Sequence, residues 1–327
     1  MWAGIAKERR QCDDGDLNDA GRRRPGPAGA VGGHLTSVSC PGVAGCMAVG
    51  SYQTSSDASL PFAGRWNGTR WSLVTMPAAG SANVGPDGVT CTSARDCWAV
   101  GSAEHGSRTS PLAEHWDGTA WSVVAVPSES GFSTLNSLSC PSATDCWAAG
   151  FWESSAPPGF GTLTVHWNGT AWSKVTTPTS GPSSSELWGS ACAGPGACLT
   201  VGSGTKGGLA QRWNGTSWSV SLRNGGSSPG SGLFGAACTS GSACMAVGSQ
   251  ATTPERGVTL ADRWDGTHWS MQITVSRANW PQNTLTGVAC PSAANCWAVG
   301  GSLNPGAPGK QLSIIEHWNG AKWSLVG

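Results

Sequence analysis

The chain has 327 residues, zero formal net charge and only 12% charged residues. A nucleic-acid partner calls for a dense positive surface to neutralise phosphate, and an anionic membrane for a basic face, so neither is expected. Abundant glycine (48 residues) and 19 tryptophans against one tyrosine favour strands and turns over helices.

In chain order, residues 1–34 read as a disordered, charged, Gly/Pro-rich tail. The arginines at 9–10 and 22–24 are followed by no apolar stretch, so the start carries no legible signal peptide. No segment reaches transmembrane length, and membrane insertion is not expected. From Leu35 a unit of about 50 residues recurs six times, over approximately 35–79, 80–129, 130–180, 181–226, 227–277 and 278–327. Its pattern is L-x-x-[VLA]-x-C-x5-C-x-A-V-G, a variable stretch, then [HR]-W-[ND]-G-T-x-W-S. Each unit divides into four short strands, A to D. In the first two units these are exemplified by LTSVSC (35–40), CWAVG (97–101), PLAEHW (111–116) and WSVVAV (121–126).

The cysteines fall at one spacing, C-x5-C. The pairs are Cys40–Cys46, Cys91–Cys97, Cys140–Cys146, Cys192–Cys198, Cys238–Cys244 and Cys290–Cys296, with Cys12 left over. Zinc sites bring cysteines closer together and add a second pair or histidines, and no histidine recurs at ligand spacing. The pairs therefore read as disulfides, which places the chain outside the cell or at its surface, and no metal or cofactor is expected. Each bridge closes a seven-residue loop worth about 2 kcal/mol on the chain-entropy model.

In the octet, Asn-Gly or Asp-Gly suits a two-residue type I′ turn. That register sets Trp116 opposite Thr119, with Trp121 a diagonal neighbour on the same sheet face. Pairing Cys40 with Cys46 sets Val38 opposite Ala48, with Met47 and Val49 on the other face. Both faces are apolar or small, so each sheet belongs inside a stack. Six four-stranded, two-sided units describe an all-β, six-bladed β-propeller over 35–327. The repeat resembles the kelch-type propellers. A strand ending in glycine (AVG, 99–101) precedes a variable loop, an aromatic-acid pair (WDG, 116–118), Trp121 and Pro127. The resemblance implies four-stranded blades; the cysteine pairs and the tryptophan before the acid depart from it.

The octet tryptophans (Trp66, Trp71, Trp116, Trp121, Trp167, Trp172, Trp213, Trp218, Trp264, Trp269, Trp318 and Trp323) read as wedges between blades rather than sugar platforms. Arg65, His115, His166, Arg212, Arg263 and His317 precede the first of each pair. They read as side chains stacked on neighbouring tryptophans rather than as a cationic ring for an anion. The N-G-T sequons at Asn67, Asn168 and Asn214 alternate with Asp117 and Asp265, which a turn tolerates and glycosylation does not. GSSPG (226–230) fits G-x-S-x-G but has no strand before it and no helix after it.

The A–B and C–D turns share one end of the sheets and are nearly uniform. The B–C and D–A loops share the other end and vary, so recognition is expected there. Aromatics outside the repeat, Tyr52, Trp152, Trp188 and Trp280, with Glu153 and His105, are the candidate ligand-binding residues. No catalytic constellation is recognisable. The expected function is a monomeric, secreted or cell-surface binding module for a glycan or an extracellular protein. A polysaccharide hydrolase or lyase would need paired carboxylates, and a passive surface protein would need no ligand.

Overall fold

The computed structural model describes residues 27–81, 83–129, 131–154, 159–178, 185–225, 230–253, 256–306 and 311–326; most of the expected tail lies outside them. Among the described residues there are 24 strands and no helix. They form six consecutive antiparallel sets in the order A-B-C-D, the first two touching through the single parallel pair Ser59–Asn83. The A strands of consecutive units pack together and the D strands scarcely meet, so the units fan out from an inner wall of A strands. The first A strand already begins at Ala30, opposite Thr54, so residues 30–34 belong to the first unit and not to the tail.

The cysteines of the second, fourth and fifth pairs lie directly opposite one another on strands A and B. All six bridges are formed, with Cα–Cα separations of 4.0–4.1 Å. Val38 faces Ala48 as the pattern requires. Strand B of the first unit, Gly45–Thr54, is buried on both faces over most of its length, as the pattern requires.

The octet turn differs from the expected one. Trp116 pairs directly with Trp121, and the other five tryptophan pairs do likewise, across a four-residue loop. The reason is an Asx turn. Asp117 Oδ1 accepts hydrogen bonds from the Thr119 amide (2.8 Å), the Thr119 hydroxyl (2.6 Å) and the Ala120 amide (2.9 Å). Only Gly118 then needs a positive φ, +98°. The rings still share a face, with centroids 6.0 Å apart. Asn67, Asn168 and Asn214 make the same three bonds, which accounts for the sequons.

A second irregularity recurs in strand A. One extra residue is inserted after the repeat leucine, or after Pro86 in the second unit, a β-bulge at Thr36, Asp87, Asn136, Trp188, Phe234 and Thr286. The bulged backbone crosses close over strand B at the glycine of A-V-G. A Cβ on Gly150 would sit 2.0 Å from the Thr134 carbonyl oxygen, and the five equivalent glycines meet the same obstacle at 1.8–2.0 Å. That is why this strand-B position is glycine in every unit.

Each sheet covers the next in one direction. Met47, Val49 and Ala63 of the first unit pack on Val89, Ala99, Trp116 and Trp121 of the second. The residue before the octet tryptophan sits in this joint, in two chemistries. Where strand B carries tryptophan, its cross-strand partner is histidine. Trp98 stacks on His115 and Trp147 on His166, with centroids 4.5 and 4.3 Å apart. Each histidine Nε2 is tied to an acid, Asp96 at 2.6 Å and Asp145 at 2.8 Å. Where strand B carries Met or Leu, the partner is arginine. Arg65 and Arg212 then reach over the next unit's Trp116 and Trp264, 5.9 and 4.1 Å from the ring centroids. At these four positions the side chain covers a tryptophan, so none of the four is a cation left free for a ligand.

Candidate functional site

The bulge residue has no partner in the ladder and varies between units as Thr, Asp, Asn, Trp, Phe and Thr. In the first and third units it ties the inner wall together: Thr36 donates to the Pro86 carbonyl (2.6 Å) and Asn136 to the Leu187 carbonyl (2.7 Å). In the fourth and fifth units it is Trp188 and Phe234, whose rings meet edge to face at 6.4 Å. Trp188 also lies 5.8 Å from Phe151 on strand B of the third unit. Phe151 is in turn stacked between Phe132 (5.5 Å) and Phe160 (5.3 Å), on the flanking strands.

These five rings form one continuous row across three units, at the end of the sheets where the variable loops lie. They include four of the chain's 5 phenylalanines, so the residue type is concentrated here. Phe132 is 38% exposed and the other four rings are half-buried, so the row is open on one side. Phe151 stands where the other units carry Ser51, Ser102, Ser203, Ser249 and Gly301. It follows no joint requirement.

Two carboxylates flank the row. Glu153 ends strand B of the third unit and Glu186 begins strand A of the fourth. Burial pushes the Glu186 carboxyl above its usual range, a hydrogen bond from Trp188 opposes this, and the charge of Glu153 adds to it. Further along the inner wall, Asp87 is reachable by water but flanked by protein on most sides, and that burial raises its carboxyl to about 6.

The candidate residues from the sequence are thus partly assembled. Trp188 is in the row and Glu153 beside it. Trp152 is on the third unit but faces away from Phe151, with its indole over Gly161. Tyr52 lies on the first unit against Phe62, with centroids 6.2 Å apart. His105 is exposed at the end of strand B in the second unit, and Trp280 sits beneath Arg277 in the loop before the sixth. Phe132, Phe151, Phe160, Phe234 and Glu186 were not singled out in the sequence. An alignment of the six units does flag Phe151, Trp188 and Phe234 as departures from their equivalents.

Among the described residues no group of three His, Cys, Asp or Glu could hold a metal ion. No helix there is long and apolar enough to cross a membrane. The crevice between the fifth and sixth units, about 210 Å³ including open solvent, is lined by Cys244, Met245, Arg263, Cys290 and Cys296. It is a gap in a joint at the disulfide end and lies away from the aromatic row.

Repeated four-stranded sheets around an inner wall have many counterparts among solved structures. The YCF48 protein bound to a D1 peptide matches at 13% identity and a TM-score of 0.55, over 91% of this chain and 81% of that one. The six-bladed β-propeller lectin of Aleuria aurantia, solved for its fucose recognition, matches at 14% identity and 0.51, over 90% and 95%. Sqt1 of Chaetomium thermophilum matches at 11% identity and 0.51, over 90% and 74%. The fold is that of a β-propeller. At these identities the likeness extends to the fold alone. No family model matches the chain, and no curated protein does. The six intrachain disulfides fit an oxidising, extracellular environment.

Proposed function

We propose that the chain is a secreted or cell-surface binding module that takes a glycan at the row formed by Phe132, Phe151, Phe160, Trp188 and Phe234. One observation carries this reading: partly exposed aromatic rings break the repeat at positions where no joint needs them, and they are contiguous across three units. Aromatic rings take the C–H faces of sugars, and Glu153 and Glu186 at the edge can accept hydrogen bonds from hydroxyls. A site built from irregular residues on an otherwise uniform scaffold is how repeat proteins carry recognition. The lectin among the structural counterparts supports a sugar ligand for this fold, and the peptide-bound counterpart keeps a protein ligand as the competing outcome.

The test uses residues that other units already carry. Phe151→Ser and Trp188→Thr should leave secondary structure and thermal midpoint near those of the parent while abolishing retention on a glycan array. An array that stays empty with folded protein, or variants that bind as the parent does, would overturn the reading. Capture of a peptide lost in the same variants would reassign the ligand to protein.

A second reading, hydrolysis of the bound polysaccharide, is favoured by Glu153 lying near enough to Glu186 for its charge to add to the upward shift that burial gives the Glu186 carboxyl, a pairing of the kind acid–base work uses. It predicts new reducing ends from a bound polysaccharide, lost in Glu186→Gln.

A further inference from the structure

Within the aromatic row, Glu153 is the direct cross-strand partner of Phe132 on one side and of Phe160 on the other. Opposed side chains share a sheet face about 5 Å apart, so the carboxylate stands between two rings. Phe151, two residues earlier on the same strand, stacks against both rings, with centroids 5.5 and 5.3 Å away. The equivalent acid of the second unit, Glu104, has a different neighbour. There Asn83 takes the place of Phe132 and donates through Nδ2 to Glu104 Oε2 at 2.9 Å. In the third unit a ring that donates nothing replaces that amide, and Glu153 is exposed.

A second acid is set at the same spot. Glu186 stands where the other units carry His34, Gly85, Thr134, Gly232 and Thr284. It accepts a hydrogen bond from Trp188 and feels the charge of Glu153. Two like charges held together oppose each other's ionisation. Among the described residues neither carboxylate is in an ion pair. The adjoining segments 155–158 and 179–184 contain no Lys, Arg or His. Two carboxylates set among rings, with no cation of the protein's own beside them, are complementary to a cation brought by a ligand.

We infer that the glycan taken by this row carries free amino groups, as in oligomers of unacetylated hexosamine, with an ammonium held by Glu153 and Glu186 against the rings of Phe132, Phe151, Phe160 and Trp188. This rests on the glycan reading of the row and narrows it to one class of sugar. An amino sugar has its charge on a ring carbon, at the edge of the C–H face that stacks. It suits a site where acid and aromatic alternate at one cross-strand spacing. A lysine holds its charge at the end of a flexible four-carbon stem, which fills one gap between rings and leaves the rest of a row spanning three units uncovered. Uronic, sialylated and sulfated glycans meet like charge at both acids and are disfavoured.

Titration calorimetry at pH 6 with hexamers of glucosamine, N-acetylglucosamine and N,N,N-trimethylglucosamine tests this. The first is protonated at that pH and the third is charged at any pH, while all three offer the same ring faces. The two charged hexamers should bind about tenfold more tightly than the acetylated one, a preference that shrinks as salt is added. Glu153→Gln with Glu186→Gln should bring the ratio of affinities close to one. Glu153→Gln alone, at an exposed position, should lower the ratio should the pair fail to fold. Equal affinity of the parent for all three hexamers, or a preference that survives both glutamines, would overturn the inference and leave the glycan reading standing. Folded parent that binds none of the three would overturn it as well, and the glycan array then decides the reading beneath it. A tetralysine peptide that binds more tightly than the glucosamine hexamer, and is lost in Phe151→Ser, would overturn it in favour of a protein cation.

Discussion

Glu114 is the residue whose replacement tests the packing account most directly. It lies on strand C two residues before Trp116 and is fully buried between the first and second units. Neither carboxyl oxygen has a hydrogen-bond partner among the described residues. The equivalents in other units show why. Glu316 accepts a bond from the Val275 amide (3.1 Å), and Gln211 donates to the Pro178 carbonyl (2.9 Å). Val275 and Pro178 each stand six residues after the second octet tryptophan of the preceding unit. For Glu114 that position is Pro77, which has no N–H to donate.

Burial therefore raises the Glu114 carboxyl from 4.5 to about 8. The folded chain keeps this proton where the unfolded chain releases it. The contribution to stability is complete below pH 4.5 and is lost as pH rises towards about 8. At pH 7 the loss is roughly 3 kcal/mol, from about 2.5 units at 1.36 kcal/mol each. Glu114→Gln removes the titration and supplies a carboxamide that can donate to the Pro77 carbonyl, as Gln211 does at its own site. Urea denaturation with disulfides intact, at pH 5, 6, 7 and 8, should find the variant increasingly more stable than the parent, by about 3 kcal/mol at pH 7. The difference between the two proteins isolates Glu114 from Asp262, which burial also raises, to about 6. A difference that stays flat across this range would mean that Glu114 titrates normally and that the joint is wetter than its geometry requires.

Other consequences are equally direct. Gly150→Ala puts a methyl group 2.0 Å from the Thr134 oxygen, so the third unit should lose the bulge, with destabilisation above about 4 kcal/mol by calorimetry; Gly85→Ala, which meets nothing within 4 Å, is the control. Removing one bridge by Cys140→Ser with Cys146→Ser should cost about 2 kcal/mol, read as a lower urea midpoint with unchanged slope. Asp145→Ala should cost about 1 kcal/mol by releasing His166, and that loss should disappear in a double-mutant cycle with His166→Ala.

Much of this architecture is legible in the sequence, because a sixfold repeat exposes every position that all joints share. Cysteine spacing gives the A–B register, and the alternation around it gives burial on both faces. The octet is harder to read. Asn-Gly and Asp-Gly serve either a two-residue turn or an Asx loop; the Thr after the glycine adds a third bond to the same oxygen, but Asn319 closes the same loop with Ala321 in that place, so no single residue type decides it. The bulge is hidden for another reason. Its residue varies, and its fixed signature, the glycine of A-V-G, lies on the neighbouring strand. The aromatic row is assembled from positions far apart in sequence, such as Phe132, Phe151 and Phe234, that only the packing of units brings together. Trp188 is visible as an irregular aromatic; its neighbours are not.

The inner wall itself explains where such a row can form. In the first three units the A strands are tied sideways by hydroxyls: the Cys91 amide donates to Ser39, Thr90 donates to the Leu138 carbonyl, and the Cys192 amide donates to Ser139. The equivalent positions in the last three units are Ala191, Ala237 and Ala289, which can make no such tie. There the strands close by contact instead. A Cβ on Gly189 would meet the Phe234 carbonyl at 2.9 Å, and one on Gly235 the Gly287 Cα at 3.0 Å. Backbone contact of that kind leaves the bulge side chain with no hydrogen bond to make, so Trp188 and Phe234 need satisfy nothing in the wall and can turn their surface outward. In the first and third units Thr36 and Asn136 are held by the wall and cannot. The ties reach as far as the fourth unit, and close packing takes over between the fourth and fifth, where Trp188 meets Phe234 and the row runs on. Trp188→Asn should move that boundary by one unit, adding a tie to the Leu233 carbonyl while removing the centre of the row.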